Sequence, residues 1–222
     1  MTLRKIAFLE KSGMGFVFVL FLSLAVLGTG LFALQDLPQE PFARGKALLL
    51  RGKPGDAKAS FEAALAQNPK NLDIAYFRGV ALLQLGNTDA ARGEFCAILT
   101  EKSDYALGHA GLAQVWIKKA NYPEAEKEIA MALSLDPKCT EAYYQRGVVQ
   151  GYLKNTDAAI AAFEKGLEFD SLHAYAHYNL GLAYNQKKRK DLTIVHLEKF
   201  LTLAPLAPEA PQVRNFLNLL KR

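Results

Sequence analysis

Cysteine is scarce. Cys96 and Cys139 are the only two in 222 residues, and neither belongs to a CxxC motif or a His/Cys cluster. That spacing excludes the usual zinc-ligand sets. Cys96 reads as a small buried hydrophobe and Cys139 as a loop residue. An excess of one charge is also lacking: 27 Lys and Arg are scattered among 22 Asp and Glu, for a formal charge of +5. A mixed surface of this kind offers no basic stripe for nucleic acid. There is no Walker loop, no GxSxG and no HExxH. The four histidines, His109, His173, His177 and His196, are spread along the chain. His109 and His177 fall at an inter-helix packing place, and no pair of acids is set up for proton transfer. No catalytic residue, metal ligand, cofactor or small-molecule substrate is therefore expected. Half of the residues are hydrophobic, which excludes a largely disordered chain.

The one long hydrophobic run is at the start. Residues 14–34 are apolar, and a helix of that length spans roughly 30 Å, the thickness of the bilayer's hydrocarbon. Residues 1–13 form a short basic segment with Arg4, Lys5 and Lys11, and Asp36 and Glu40 follow the run. This bias favours an uncleaved anchor over residues 14–35. The N-terminus would be cytoplasmic and the remainder on the periplasmic or extracytoplasmic side. The alternative is a cleaved signal peptide, for which Gly28-Thr29-Gly30 supplies a small-x-small site. The apolar run continues past that site, which speaks for the anchor.

What is abundant is periodicity. Gly45, Gly79, Ala113, Gly147 and Gly181 stand 34 residues apart. So do Ala57, Ala91, Ala125, Ala159 and Thr193, and so do Phe61, Phe95, Ile129, Phe163 and Leu197. A fourth series is Pro69, Ser103, Pro137, Ser171 and Pro205. Small residues let two helices cross closely. The large apolar series fills space between hairpins. The fourth series ends the second helix, because proline lacks a donor and restrains its predecessor. Turn signals fall within each unit: Gly52-Lys53-Pro54-Gly55, Gly86-Asn87, Asn121-Tyr122-Pro123, Lys154-Asn155 and Lys187-Lys188. Thr88-Asp89 and Thr156-Asp157 fit a helix cap followed by a first-turn acid. The basic run Lys187-Lys188-Arg189-Lys190 lies in such a turn, where polar residues belong.

The pattern resembles the tetratricopeptide repeat family. The stretch from Tyr143 to Gly147, followed by Ala159 and Phe163, carries the family's small and large positions in order, and residues 178–184 are another close match. The resemblance implies an all-α, right-handed superhelical solenoid of five helix-turn-helix repeats over 36–205. The units would be 38–71, 72–105, 106–139, 140–173 and 174–207. Thr193 in place of Ala suggests looser packing in the fifth. Stacked hairpins need a cover at the end of the array. Val213, Phe216, Leu217 and Leu220 form one helical stripe behind Pro208 and Pro211, so 208–222 reads as a capping helix, its helical part from Gln212.

The resemblance also implies where partners bind. In the family, the first helix of each repeat lines a concave groove. Carried onto this sequence, the groove positions include Phe42, Lys46, Tyr76, Leu83, Gln114, Tyr144, Tyr178 and Asn185. Such an apolar, tyrosine-rich surface suits an extended or helical peptide of a protein partner. Some members clamp a C-terminal carboxylate, but Lys46 and Gly111 stand here where that clamp takes asparagine and a basic residue. The implied function is a membrane-anchored, non-enzymatic scaffold or assembly factor. The alternatives are a secreted or periplasmic binding protein after signal cleavage, or an accessory subunit presenting substrate to a catalytic partner. N-terminal sequencing of the mature protein separates anchor from signal peptide: retention of the anchor leaves the apolar run in place, whereas a start near Leu31 overturns it.

Overall fold

The computed structural model describes residues 37–222. The expected membrane-spanning segment 14–35 lies outside the described residues, and among those described no helix is long and apolar enough to cross a membrane. Eleven helices follow one another, with no strand among the described residues. They are α1 (Pro41–Leu50), α2 (Pro54–Gln67), α3 (Leu72–Gln84), α4 (Thr88–Glu101), α5 (Ala106–Lys118), α6 (Tyr122–Leu135), α7 (Thr140–Tyr152), α8 (Thr156–Phe169), α9 (Ala174–Gln186), α10 (Lys190–Leu203) and α11 (Ala210–Leu220). The first ten pair into five hairpins. Each hairpin's first helix also touches the first helix of the next, which makes the first helices a continuous inner layer. The eleventh packs on α10 and covers the end of the stack with Val213 and Leu217.

A contact repeated in every hairpin fixes the helix spacing. A Cβ added at Gly45 would stand 2.3 Å from a ring carbon of Phe61, one at Gly79 2.6 Å from Phe95, and one at Gly147 2.4 Å from Phe163. Gly181 meets Leu197 Cδ2 at 2.6 Å in the same way. The large residue of the second helix thus lies against the bare backbone of its own first helix. In the third hairpin the pair is Ala113 and Ile129, both fully buried, so the facing residue there is aliphatic, as Leu197 is in the fifth. Phe95 also reaches the following hairpin, where Gly111 would place a Cβ 2.3 Å from its ring. The large series therefore fills space within hairpins and, at Phe95, between them as well.

The turns inside the hairpins are equally regular. Gly52, Gly86, Ala120, Lys154 and Lys188 all have positive φ, between 56° and 83°. Each is followed by an amide that donates back across the helix end, as Asn155 N does to Gln150 O at 2.9 Å and Arg189 N to Tyr184 O at 2.9 Å. This is the Schellman closure, which satisfies carbonyls the helix leaves orphaned. Lys154 and Lys188 hold left-handed positions that glycine would occupy without a steric cost. The basic run of the fifth hairpin is thus turn structure, with Lys187 paired to Asp157 at 2.8 Å and Arg189 to Asp191 at 3.0 Å. The same closure moves the caps of α4 and α8 to Asn87 and Asn155, so Thr88 and Thr156 are first helical residues rather than caps.

Two more expectations change. Cys96 is exposed rather than buried, and Cys139, in a loop as expected, is buried. Cys96 directly follows the buried Phe95 on α4, and one step of about 100° turns it off the packed face. Cys139 precedes α7 and is tucked among Ala110, Ile129 and Ala142. Burial pushes its thiol up to about 11, far from a reactive thiolate. Thr193 is fully buried, with its hydroxyl donating to Arg189 O at 2.9 Å. The extra oxygen is satisfied, so this position does not loosen the fifth unit. The C-terminal helix begins at Ala210, two residues before the expected Gln212.

Gly147→Ala is expected to cost about 1–3 kcal/mol by overpacking Phe163. Gly151→Ala, four residues on in the same helix and with nothing within 4 Å, should stabilise by about 0.5–1 kcal/mol. Urea unfolding of the two variants reads the opposite signs. Lys154→Gly should raise stability by up to about 1 kcal/mol, since relief of the left-handed strain outweighs the added chain entropy.

Candidate functional site

The inner layer closes on itself. Helices joined by short turns run antiparallel, so all first helices run in one direction. Their array curls until the end of α1 meets the last hairpin and the cap. Leu50 packs against the cluster formed by Ala174, Phe200, Ala204, Val213 and Leu217. Gly52 lies so near Pro208 that a Cβ on it would stand 2.4 Å from the proline Cγ. Between these ends is a cavity of about 760 Å³. Its wall comes from α1, α3, α5 and α7, from the loop between α8 and α9, and from the ends of α9 and α10.

Five of the eight expected groove residues line it: Lys46, Tyr76, Leu83, Gln114 and Tyr144. Three do not. Phe42 packs between Phe61 and Phe77 beneath the Lys46 ammonium, which sits 4.7 Å from its ring. Tyr178 lies against Phe200 with ring centroids 5.0 Å apart. Asn185 is exposed at the far end of α9, and α9 contributes only its start to the wall. The closure at Gly52 and Pro208 leaves the later part of α9 outside.

Among the five, burial sorts structure from access. Tyr76 is 1% exposed, packs on Phe95, and its hydroxyl accepts from Gln114 Nε2 at 2.8 Å. Tyr144 packs on Phe163 and His173, and Asn179 donates to its hydroxyl at 3.3 Å. Burial raises the phenol pKa at both, so they stay neutral. The accessible apolar surface lies at Tyr152 and Leu172, 61% and 63% exposed. Sequence reasoning omitted both, and also Gln145, Asp170 and His173. Tyr152 is the last residue of α7, and Asp170 to His173 belong to a loop between repeats that only the curl of the array turns inward.

The cavity is polar at one end. Glu141 begins α7 on the face that continues through Tyr144, Gln145, Val148 and Tyr152. His173 caps α9, its Nδ1 accepting from Ala176 N at 3.1 Å, and its Nε2 points to Glu141 at 3.5 Å. Burial alone would lower the His173 pKa, but the Glu141 carboxylate outweighs it and the net shift is upward. Among the described residues no group of three or more His, Cys, Asp or Glu is placed to hold a metal ion.

The profile of the tetratricopeptide repeat family matches residues 42–106 and 144–208. The chain belongs to the tetratricopeptide repeat family. Among curated relatives, human protein O-mannosyl-transferase TMTC3 is 24% identical over 174 residues, covering 77% of this chain and 19% of that protein. The probable UDP-N-acetylglucosamine–peptide N-acetylglucosaminyltransferase SPINDLY of Hordeum vulgare is 31% identical over 185 residues, covering 78% and 19%. The Fusarium oxysporum tetratricopeptide repeat and J domain-containing co-chaperone DNJ1 is 27% identical over 103 residues, covering 44% and 20%. The chain spans about a fifth of the length of these relatives. Among solved structures, the thermophilic protein TTC0263 of Thermus thermophilus matches with a TM-score of 0.64 at 22% identity, over 82% of this chain and 98% of that one. Yeast Tom70 matches with a TM-score of 0.56 at 17% identity, over 82% and 39%. At such identities the likeness shows the fold alone.

Two histidine pairs occupy equivalent places in this tetratricopeptide array. In the third repeat His109 Nδ1 meets Glu128 at 2.8 Å. In the fifth, the corresponding His177 and His196 face each other through their Nδ1 atoms at 3.0 Å. His177 Nε2 lies 3.1 Å from Ser171 O and donates to it, so His177 Nδ1 accepts and His196 donates. Burial lowers both pKa values, helped at His177 by Lys199 and His173 and at His196 by His177. The unfolded chain therefore takes up protons first as pH falls. The pair's stabilisation is present above the unfolded histidine pKa and is lost as pH drops through the depressed folded values. His196→Glu restores the His109–Glu128 arrangement and should reverse this trend relative to the parent. Urea midpoints of both proteins between about pH 7.5 and 5.5 check it.

Proposed function

We propose that this chain is a non-enzymatic binding scaffold, tethered to a membrane by residues 14–35, that holds a segment of a partner protein in the cavity on the inner side of the repeats. The observation that carries the reading is the cavity. At about 760 Å³ it falls within the range of roughly 300–1,000 Å³ typical of sites that enclose a ligand. Its wall mixes aliphatic side chains with tyrosines and a few glutamines, a surface that suits a peptide or a short helix. Of the lining acids, Asp170 accepts from Leu172 N through one oxygen and Glu141 faces His173 of the next repeat at 3.5 Å. Tethering would raise the effective concentration of partners at the bilayer, so moderate affinity suffices. The long apolar run and its charge flanks support that placement, with the repeats on the extracytoplasmic side.

A second reading has one observation in its favour. The repeats resemble parts of longer relatives that are named as transferases. Repeats of this kind could present substrate to a separate catalytic partner. Stable co-purification with an enzyme would favour that reading, whereas a changing set of transient clients would favour the scaffold.

The test is crosslinked capture from membranes with mass spectrometry, comparing the parent with the Tyr152→Ala, Leu172→Ala double variant. Both side chains are exposed on the cavity wall, so the fold should hold with little change in melting temperature. Partner capture should fall by tenfold or more, on the order of the 2 kcal/mol that a well-placed aromatic contact carries. Val195→Ala, equally exposed at 57% but not lining the cavity, should leave capture unchanged. Equal capture by parent and double variant would overturn the cavity as the binding site.

A further inference from the structure

We propose that the acidic end of the cavity receives one basic side chain, lysine or arginine, of the bound segment, held by Glu141, Gln145 and Asp170. The inference rests on the cavity being the binding site and names the chemistry that the occupant must carry.

Gln145 points to a missing ligand. It is 4% exposed, lines the cavity, and its side-chain amide makes no hydrogen bond to any described residue. Buried amides are normally paired, because an unmet donor or acceptor in a low-dielectric site is costly. Among the described residues no fully enclosed side-chain N or O lacks a partner, so the open positions of this amide face the cavity. The amide could meet both parts of a polypeptide: its oxygen accepts from a cationic N–H, and its NH₂ donates to a backbone carbonyl. Glu141 lies one turn earlier on the same helix face. Its carboxylate makes one ion-pair contact, to His173 Nε2 at 3.5 Å, and is left with open acceptor positions. Asp170 adds a second carboxylate, of which Oδ1 is occupied by Leu172 N at 2.9 Å.

Apart from His173, which shares Glu141, the cavity's basic side chains are placed elsewhere. Lys46 is held over the rings of Phe42 and Phe77, at 4.7 and 5.8 Å. Lys118 ends α5, whereas Glu141 begins the parallel α7, so the two stand about 15 Å apart along the helix direction. An acidic side chain at the Glu141 end would meet two like charges. A basic one would meet two carboxylates and a free amide, with Tyr144 and Tyr175 beside its aliphatic stem. Lys118 at the opposite end would then favour an acidic or carbonyl-rich continuation, giving the segment a direction.

The experiment uses the full-length chain and capped heptapeptides of leucine and alanine in which one position carries lysine, arginine, norleucine or glutamate. Binding is read by fluorescence anisotropy. Lysine and arginine peptides should bind tenfold to a hundredfold more tightly than norleucine, the range of a charge-assisted hydrogen-bond set. Glutamate should bind most weakly. Glu141→Gln should erase most of the preference, and Gln145→Glu should enlarge it. Circular dichroism of each variant establishes that the helices are intact, and Asp170→Asn, which keeps the Oδ1 acceptor, gives an independent partial loss. Peptides that bind with no basic preference, or a preference that survives Glu141→Gln, would overturn the proposal while leaving the cavity as the site. Binding that ignores charge and also ignores the Tyr152, Leu172 double substitution would overturn both.

Discussion

A phenyl ring pressed against a glycine backbone sets the distance between the two helices of a hairpin, and the rest of the array is built on that distance. At Gly45, Gly79 and Gly147 no Cβ fits without displacing the ring of Phe61, Phe95 or Phe163. Where the first helix carries Ala113, the facing residue is Ile129 rather than an aromatic. In the fifth hairpin Gly181 faces Leu197, so the facing residue is large and apolar in every unit and aromatic in three. The glycines cost helix propensity, and close approach of the helices offsets it. Because the same contact recurs at the same interval, the hairpins share one internal geometry, and their first helices stack side by side into a curved inner layer.

Curvature has a consequence that no single repeat contains. Five hairpins bring the turn after α1 back to the segment before α11, with Gly52 against Pro208 and Leu50 against the last cluster. An open groove becomes a bounded cavity. The C-terminal helix then has two roles: it covers the apolar end of α10, and the segment leading into it forms one side of the closure. Tyrosines on the inner face divide accordingly. Tyr76 and Tyr178 are packing residues held by Phe95 and Phe200, whereas Tyr152 presents free surface.

Local chemistry varies on this constant frame. Lys119 to Asp89 and Lys187 to Asp157 are ion pairs in equivalent places in different repeats, and both are exposed, so each contributes little to stability. The histidine pairs differ more. His109 faces a carboxylate at Glu128, whereas His177 faces a second imidazole at His196 and that pair loses by protonation. The repeat supplies the distance between the side chains, and residue identity supplies the chemistry at each place.

The sequence by itself determined the hairpins. Four residue series at a strict 34-residue spacing show where helices cross, turn and stop, because glycine, alanine, aromatic and proline positions each answer a short-range steric demand. It also marked the inner face well enough to place Lys46, Tyr76, Leu83, Gln114 and Tyr144 on the cavity wall. Burial of the two cysteines was not legible, since a side chain one step around a helix changes from core to solvent. Nor was the closure of Gly52 on Pro208, which follows from small rotations summed over five hairpins and has no local signature. Only the tertiary structure decided which inner-face residues enclose the cavity. It drew in Gln145, Asp170, Leu172 and His173, and left Phe42, Tyr178 and Asn185 outside, because curvature is a property of the whole array.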